Sequence, residues 1–292
     1  MQRYEEVEII RILKIMQDTV SGLLLRGKTI GFVPTMGALH EGHLSLVRRA
    51  GQENDKTVVS IFVNPLQFGP AEDFPRYPRD VEGDTEKLEK EAADILFMPD
   101  TPLMYPEGFL TRIEVGKISD KLCGFFRPGH FLGVATVIAK LFHIVKPTRS
   151  YFGQKDFQQA VIIGKMVRDI NMDVDIVICP TIREKDGLAM SSRNTYLTQA
   201  QRKASVVLYR SMKETADLLT SGIINITHLK EMMHAKILQE PAVSSIDYAG
   251  FYDPETLEEL SMIQDDMLLA VAAKIGNTRL IDNILVTMRK ER

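Results

Sequence analysis

A chain of 292 residues, 45% hydrophobic and 26% charged, has apolar material for one large core or two ordinary ones, and this length favours two domains. Its net charge of -3 is near balance and its basic residues are scattered, which argues against nucleic acid as a partner; no apolar run is long enough to span a bilayer, which argues against a membrane location. Cys123 and Cys179 lie far apart in apolar neighbourhoods and outside any CxxC pattern, so free thiols in a reducing cytoplasm, and no structural zinc, are expected.

The first stretch, MQRYEEVEIIRILKIMQDTV, carries acids early and lacks the layout of a signal peptide. Apolar residues at Val7, Ile10, Leu13, Met16, Val20 and Leu23 step by three and four and predict a first helix that stops near Gly27. Short β-rich runs then alternate with helical patterns. TIGFVP, TVVSIFV, ADILFMP, SYFG and VDIVICP read as strands, with helices from about Gly42, from about Val81, within GVATVIAKLFHIV and from Phe157. Strands alternating with helices predict a doubly wound parallel sheet of the Rossmann-like α/β class, with ligands beyond the carboxyl ends of the strands.

After about Ser191 the rhythm changes. One long helix, TQAQRKASVVLYRSMKETADLL, is expected to end at Gly222, a second to cover Thr227 to Gln239, and three strands to follow in SSIDYAGFYD, MLLAVAAKI and RLIDNILV. That succession predicts a smaller C-terminal α+β domain with an antiparallel sheet. The boundary falls between Pro180 and Thr198, drawn here as residues 1–184 and 185–292.

The chemistry-bearing stretch is PTMGALHEGHLSLVRRA, which sets His40 and His43 across Gly42 at a strand-to-helix turn. Free amides and the helix dipole make such a turn an anion site, and positions i and i+3 put both rings on one face. The same dipole end disfavours imidazolium, so neutral rings donating N–H bonds to phosphate oxygens are expected. The alternative is that each histidine merely caps the turn. HEGH is not HExxH and no third ligand stands near, which leaves the zinc reading weak.

FVPTMGALHEGHLSLV, SIFVNPLQFGPAEDFPRYPRD, RPGHFLGVATVIAKLF, YFGQKDFQQ and REKDGLAMSSRNTYL occur in the order and spacing found in pantothenate synthetases, and the chain resembles that family from about residue 29 to 197. The resemblance places it in the HxGH nucleotidylyltransferase superfamily and implies an ATP- and Mg2+-dependent carbon–nitrogen ligase. The implied reaction joins pantoate to β-alanine through a pantoyl adenylate, in a cytoplasmic homodimer. The nearest rival is a nucleotidylyltransferase that adenylylates a phosphate-bearing acceptor and stops.

By the resemblance, Met36, Gly37, Ala38, Leu39, His40, Glu41, Gly42 and His43 contact ATP, with His43 as proton donor and His40 as its phosphate-binding companion. Gly153, Gln154, Lys155 and Asp156 continue the ATP site, with Lys155 reaching a phosphate. Asp156 also fits a capping box with Gln159. Ile182 is expected to offer backbone to adenine, and Met190, Ser191, Ser192 and Arg193 to form a closing loop whose arginine forks onto the β- and γ-phosphates; the bland alternative is a Ser-rich linker. Gln67 and Gln159 are implied as pantoate contacts, with Gln67 also touching β-alanine; amides can grip hydroxyls while leaving the nucleophilic carboxylate free. Asp84 is either a magnesium contact or a dipole-compensating acid, His130 either lines the pantoate pocket or caps a helix, and NPLQFGPAEDFPRYPRD reads as a gate.

Overall fold

The computed structural model describes residues 6–70, 72–223 and 225–288. Six parallel strands form the larger sheet: β1 (Glu8–Ile10), β2 (Ile30–Thr35), β3 (Lys56–Ile61), β4 (Ile95–Phe97), β5 (Arg149–Gly153) and β6 (Asp175–Cys179), in the order β1-β4-β3-β2-β5-β6. The chain winds outward from β2 through β3 to β4 on one side, and through β5 to β6 on the other. The switch point therefore lies at β2, where a doubly wound sheet opens a crevice at its carboxyl edge.

Alternation along each strand explains the two cores. Phe32, Val58, Phe97 and Phe152 face one side, packed by α1 (Leu13–Leu25), α6 (His130–Val145) and α7 (Phe157–Asp169). Their neighbours Val33, Val59, Leu96 and Tyr151 face the other, packed by α2 (Glu41–Glu53) and α3 (Val81–Lys90). A sheet covered on both faces needs apolar residues at consecutive positions, which is why its strands read as short unbroken runs. Two short helices, α4 (Thr101–Met104) and α5 (Cys123–Phe126), sit in the long connection before α6.

The start of the chain departs from expectation. Val7 and Ile10 do not begin a helix; Glu8–Ile10 pair in parallel with Ile95–Phe97 as an edge strand, and the helix starts only at Leu13. The expected N-terminal residues 1–5 lie outside the described residues. The long helix after Thr198 is two, α8 (Gln199–Ala204) and α9 (Val206–Thr220). Between them the buried Ser205 hydroxyl donates to the Gln201 carbonyl at 2.7 Å, a back-bond that competes with a straight helix.

The remaining elements are α10 (Ile226–Leu238) and an antiparallel sheet of β7 (Val243–Tyr252), β8 (Asp266–Ile275) and β9 (Thr278–Thr287). Met267, Leu269, Val271 and Ala273 of β8 pack under α9 and α10. The opposite face, with Leu268 and Ala270, closes on Phe157 at the start of α7, so this sheet stands against the mouth of the crevice. Among the described residues no helix is long and apolar enough to cross a membrane.

Candidate active site

Beyond the carboxyl ends of β2 and β5 lie two connected hollows of about 200 and 860 Å³. The smaller is lined by His40, His43, Gln67 and Met190, the larger by Cys123, Arg279 and Asn283, and both are walled by Arg127, His130, Lys155, Asp156, Gln159 and Arg193.

His40 is the N-cap of α2, with extended backbone, and its Nδ1 accepts the Gly42 amide at 3.2 Å. His43 reaches back, its Nδ1 accepting the His40 amide at 3.4 Å. This reciprocal arrangement is a capping box built from two imidazoles. It also settles the tautomers. A ring nitrogen that accepts carries no proton, so in each neutral ring the proton sits on Nε2. The rings lie 4.1 Å apart between centroids, so neither tolerates a charged neighbour. Burial and then Lys155 push His40 down to about 4, and burial and then His40 push His43 down to about 3. Capping and ligand presentation are thus one geometry, with two Nε2–H donors beside the helix N-terminus.

The turn before them is held from below. Gly37 has a left-handed φ of 84°, and the amides of Ala38 and Leu39 both donate to Asp84, at 2.7 Å each. Asp84 is 1% exposed, touches Lys87 as well, and lines neither hollow. It therefore clamps the turn, a use of its carboxylate that neither expectation, magnesium contact or dipole-compensating acid, names. Gly37, Ala38, Leu39 and Glu41 likewise line neither hollow; Glu41 is tied by both oxygens to Arg48.

Gln67 ends a 3-10 turn, Pro65–Gln67, started by Asn64, whose side-chain oxygen accepts the Leu66 amide and whose nitrogen donates to Gln67 Oε1 at 3.0 Å. Gln67 Nε2 is left with the weak acceptor Met36 Sδ at 3.1 Å, a bond given up at little cost for a substrate oxygen. Its carbonyl accepts from His130 Nδ1 at 2.8 Å, while Arg127 Nη1 donates to His130 Nε2 at 3.0 Å. Burial, then Arg127, push His130 down to about 4, in keeping with a neutral ring. His130 thus lines the smaller hollow and holds the Gln67 turn, as well as starting α6.

At the end of β5, Lys155 and Asp156 enter both hollows, 3.6 Å apart. Asp156 precedes α7 without a side-chain cap bond, so the capping-box alternative with Gln159 does not form. Asp156 is half-exposed, to the cavity; burial in the protein body pushes its pKa up, but Lys155 and Arg193 outweigh this and hold it below the ordinary carboxylate range. Gln154 turns away and donates to Asn283 at 3.3 Å.

The far wall is a hairpin: Met190 N donates to Ile182 O, and Arg183 bridges Ala189. Ser191 caps the following turn, Ser192 shares a hydrogen bond with Tyr77, and Arg193 is gripped by Asp73 through Nε and Nη2 at 3.0 Å each. The neighbouring acid, Glu72, takes Arg127 in the same two-pronged way at 2.7 and 2.6 Å. Sequence reasoning overlooked Asn64, Glu72, Asp73, Tyr77 and Arg127 as site residues. Only Asn64 carried a local signal, an N-cap residue before proline.

Of the residues expected in the site, fifteen line one or both hollows: Met36, His40, Gly42, His43, Gln67, His130, Gly153, Lys155, Asp156, Gln159, Ile182, Met190, Ser191, Ser192 and Arg193. Among the described residues no group of three or more His, Cys, Asp or Glu side chains is placed to hold a metal.

Comparison with known proteins agrees with this architecture. Residues 8–285 match the family model described as pantoate-beta-alanine ligase. The pantothenate synthetase of Thermodesulfovibrio yellowstonii is 58% identical over 96% of this chain and 100% of its own, and that of Caldicellulosiruptor saccharolyticus 55% over 93% and 96%. The crystal structure of pantothenate synthetase from Thermus thermophilus superposes with a TM-score of 0.91 at 43% identity, covering 95% of this chain and 99% of its own. The pantoate-beta-alanine ligase of Francisella tularensis, complexed with beta-gamma ATP and beta-alanine, does so with a TM-score of 0.79 at 36% identity over 96% and 97%.

Proposed function

Because the chain belongs to the pantoate-beta-alanine ligase family, we propose that its cavity activates the pantoate carboxylate with ATP and hands the acyl group to the amine of β-alanine. In the first step a carboxylate oxygen attacks the α-phosphorus and pyrophosphate leaves; in the second the amine attacks the acyl carbon and AMP leaves. Neither step needs a covalent bond to the protein. Both need charge met where it develops, by groups already in place.

The observation that carries this reading is the tautomer pair. Two neutral imidazoles with Nδ1 committed to backbone amides present Nε2–H at a helix N-terminus, where phosphate oxygens bind. In this reading His43 follows the α-phosphate and leaving group through the displacement, and His40 supports it. Lys155 adds a mobile positive charge beside them. Asp73 uses the Nε and Nη2 edge of Arg193 and so orients the fork, leaving Nη1 for the β- and γ-phosphates. Gln67 and Gln159 grip pantoate, and Ile182 borders the adenine. The sheet of β7 to β9 serves as a lid.

Magnesium fits as a passenger of the triphosphate rather than in a cage of side chains: Asp84 is committed to amides, and of the described acids that line the hollows Glu72, Asp73, Asp247 and Asp282 are held by arginines, which leaves Asp156 beside Lys155. When bound, it would offset phosphate charge. Two free, buried cysteines suit a reducing, cytoplasmic setting, and a homodimer is expected from the resemblance.

The test is pyrophosphate–ATP isotope exchange. Exchange that requires pantoate and proceeds without β-alanine is expected, and its absence in folded protein with magnesium would refute the first half-reaction. His43→Ala is expected to lower that exchange by about a hundred- to ten-thousand-fold.

A further inference from the structure

We infer that Asn283, on the edge strand of the C-terminal sheet, is a positioning residue for Lys155, and that with Asp282 it bolts the two walls of the nucleotide site to one strand. Asn283 is 4% exposed. Its Nδ2 donates to the carbonyls of Gln154 and Lys155, both at 3.0 Å, and its Oδ1 accepts from Gln154 Nε2 at 3.3 Å. The side-chain amide is thereby spent on a single 3-10 turn, Gln154–Asp156, which carries Lys155 into the cavity.

Asp282, also 4% exposed, points to the opposite face of β9, as neighbours on a strand do. It takes both prongs of Arg183, at 2.6 and 2.9 Å, and the Arg183 guanidinium lies 4.0 Å from the centroid of the Tyr209 ring of α9. Arg183 follows Ile182 in the hairpin of the far wall. One dipeptide of the C-terminal sheet therefore grips the Lys155 turn on one face and the Ile182 hairpin on the other. Nothing else about β9 demands a buried asparagine here: apolar residues flank the pair at Leu280, Ile281 and Ile284.

The consequence follows from leverage. The lysine ammonium sits at the end of four methylenes, so a small rotation of the Lys155 peptide displaces it by more than a hydrogen-bond tolerance, and a misplaced charge contributes little. Two hydrogen bonds from Asn283 fix that peptide.

This inference rests on the proposed ATP reading, and the experiment separates the two. Binding of α,β-methylene-ATP is measured by ligand-observed NMR, which reaches millimolar constants, in wild type, Asn283→Ala, Lys155→Ala and the double variant. Asn283→Ala is expected to weaken binding about three- to tenfold, the range for one or two lost hydrogen bonds. In the Lys155→Ala background the same change is expected to alter binding by less than about twofold, because there is no ammonium left to misplace. Equal losses in both backgrounds, or an Asn283→Ala protein that binds as wild type, would overturn the inference while leaving the ATP reading intact. A folded wild type that binds no analogue would overturn the ATP reading itself. Should the alanine variant not fold, Asn283→Ser, which keeps one hydroxyl donor, enters the same cycle under the same criteria.

Discussion

Acidifying the protein without nucleotide tests the imidazole geometry directly. At pH 5 a histidine of ordinary pKa, 6.5, is about 97% cationic, whereas one held at about 4 is about a tenth cationic and one held at about 3 about a hundredth. His40 and His43 should therefore remain neutral, with the proton on Nε2, well into the range where a histidine of ordinary pKa has taken its second proton. The stability consequence has a definite sign. The unfolded chain binds protons at these positions below pH 6.5 and the folded chain does not, so stability is greatest above 6.5 and falls as pH drops toward 4. Each of His40, His43 and His130 contributes up to about 1.4 kcal/mol per pH unit in that window. Long-range ¹H–¹⁵N correlation spectra of the side chains assign tautomer and midpoint, and urea unfolding at pH 7, 6 and 5 gives the slope. A midpoint near 6.5 for either cavity histidine, or a proton on Nδ1, would refute the argument from the two accepted amide bonds.

Three substitutions probe the supports of the site. A Cβ at position 42 would stand 2.9 Å from both Nδ1 and Cε1 of His40, so Gly42→Ala is expected to swing that ring off its amide and slow pyrophosphate exchange about tenfold or more with the fold retained; circular dichroism and the exchange rate check this together. A Cβ at position 133 would meet the Leu66 carbonyl oxygen at 2.3 Å, so Gly133→Ala should cost about 1–3 kcal/mol in urea unfolding and, through the displaced Gln67 turn, raise the KM for pantoate. Asp84→Asn should lose about 1.5–3 kcal/mol of stability by surrendering charged bonds to the Ala38 and Leu39 amides, with the magnesium concentration for half-maximal rate unchanged. A shifted magnesium requirement at unchanged stability would return Asp84 to the metal role.

What the sequence made legible follows the range of the forces involved. Strand and helix alternation is a local pattern, so β2 to β6 and the helices α2, α3, α6 and α7 fall where the apolar runs place them, while the short α4 and α5 carried no such pattern. The histidine pair was legible because an N-cap, its reciprocal partner and a helix dipole all act within four residues. The opening of the chain misled for an instructive reason. Val7, Ile10, Leu13 and Met16 keep a step of three across an edge strand, a short link and a helix, and periodicity alone cannot see that Glu8–Ile10 have found a partner in Ile95–Phe97. The same blindness governs the site. Motif resemblance supplied Lys155 and Arg193, but whether an arginine arrives free or already held depends on Asp73, 120 positions away, and the turn that carries Lys155 depends on Asn283, 128 positions away. An acid within a proline-rich stretch and an asparagine within a strand look ordinary in sequence, because their partner is chosen by the packing of two sheets. The ligand-facing groups of this cavity are thus written locally, while the groups that aim them are written at a distance. A substitution such as Asn283→Ala, outside every recognisable motif, should for that reason act on phosphate affinity through the position of Lys155.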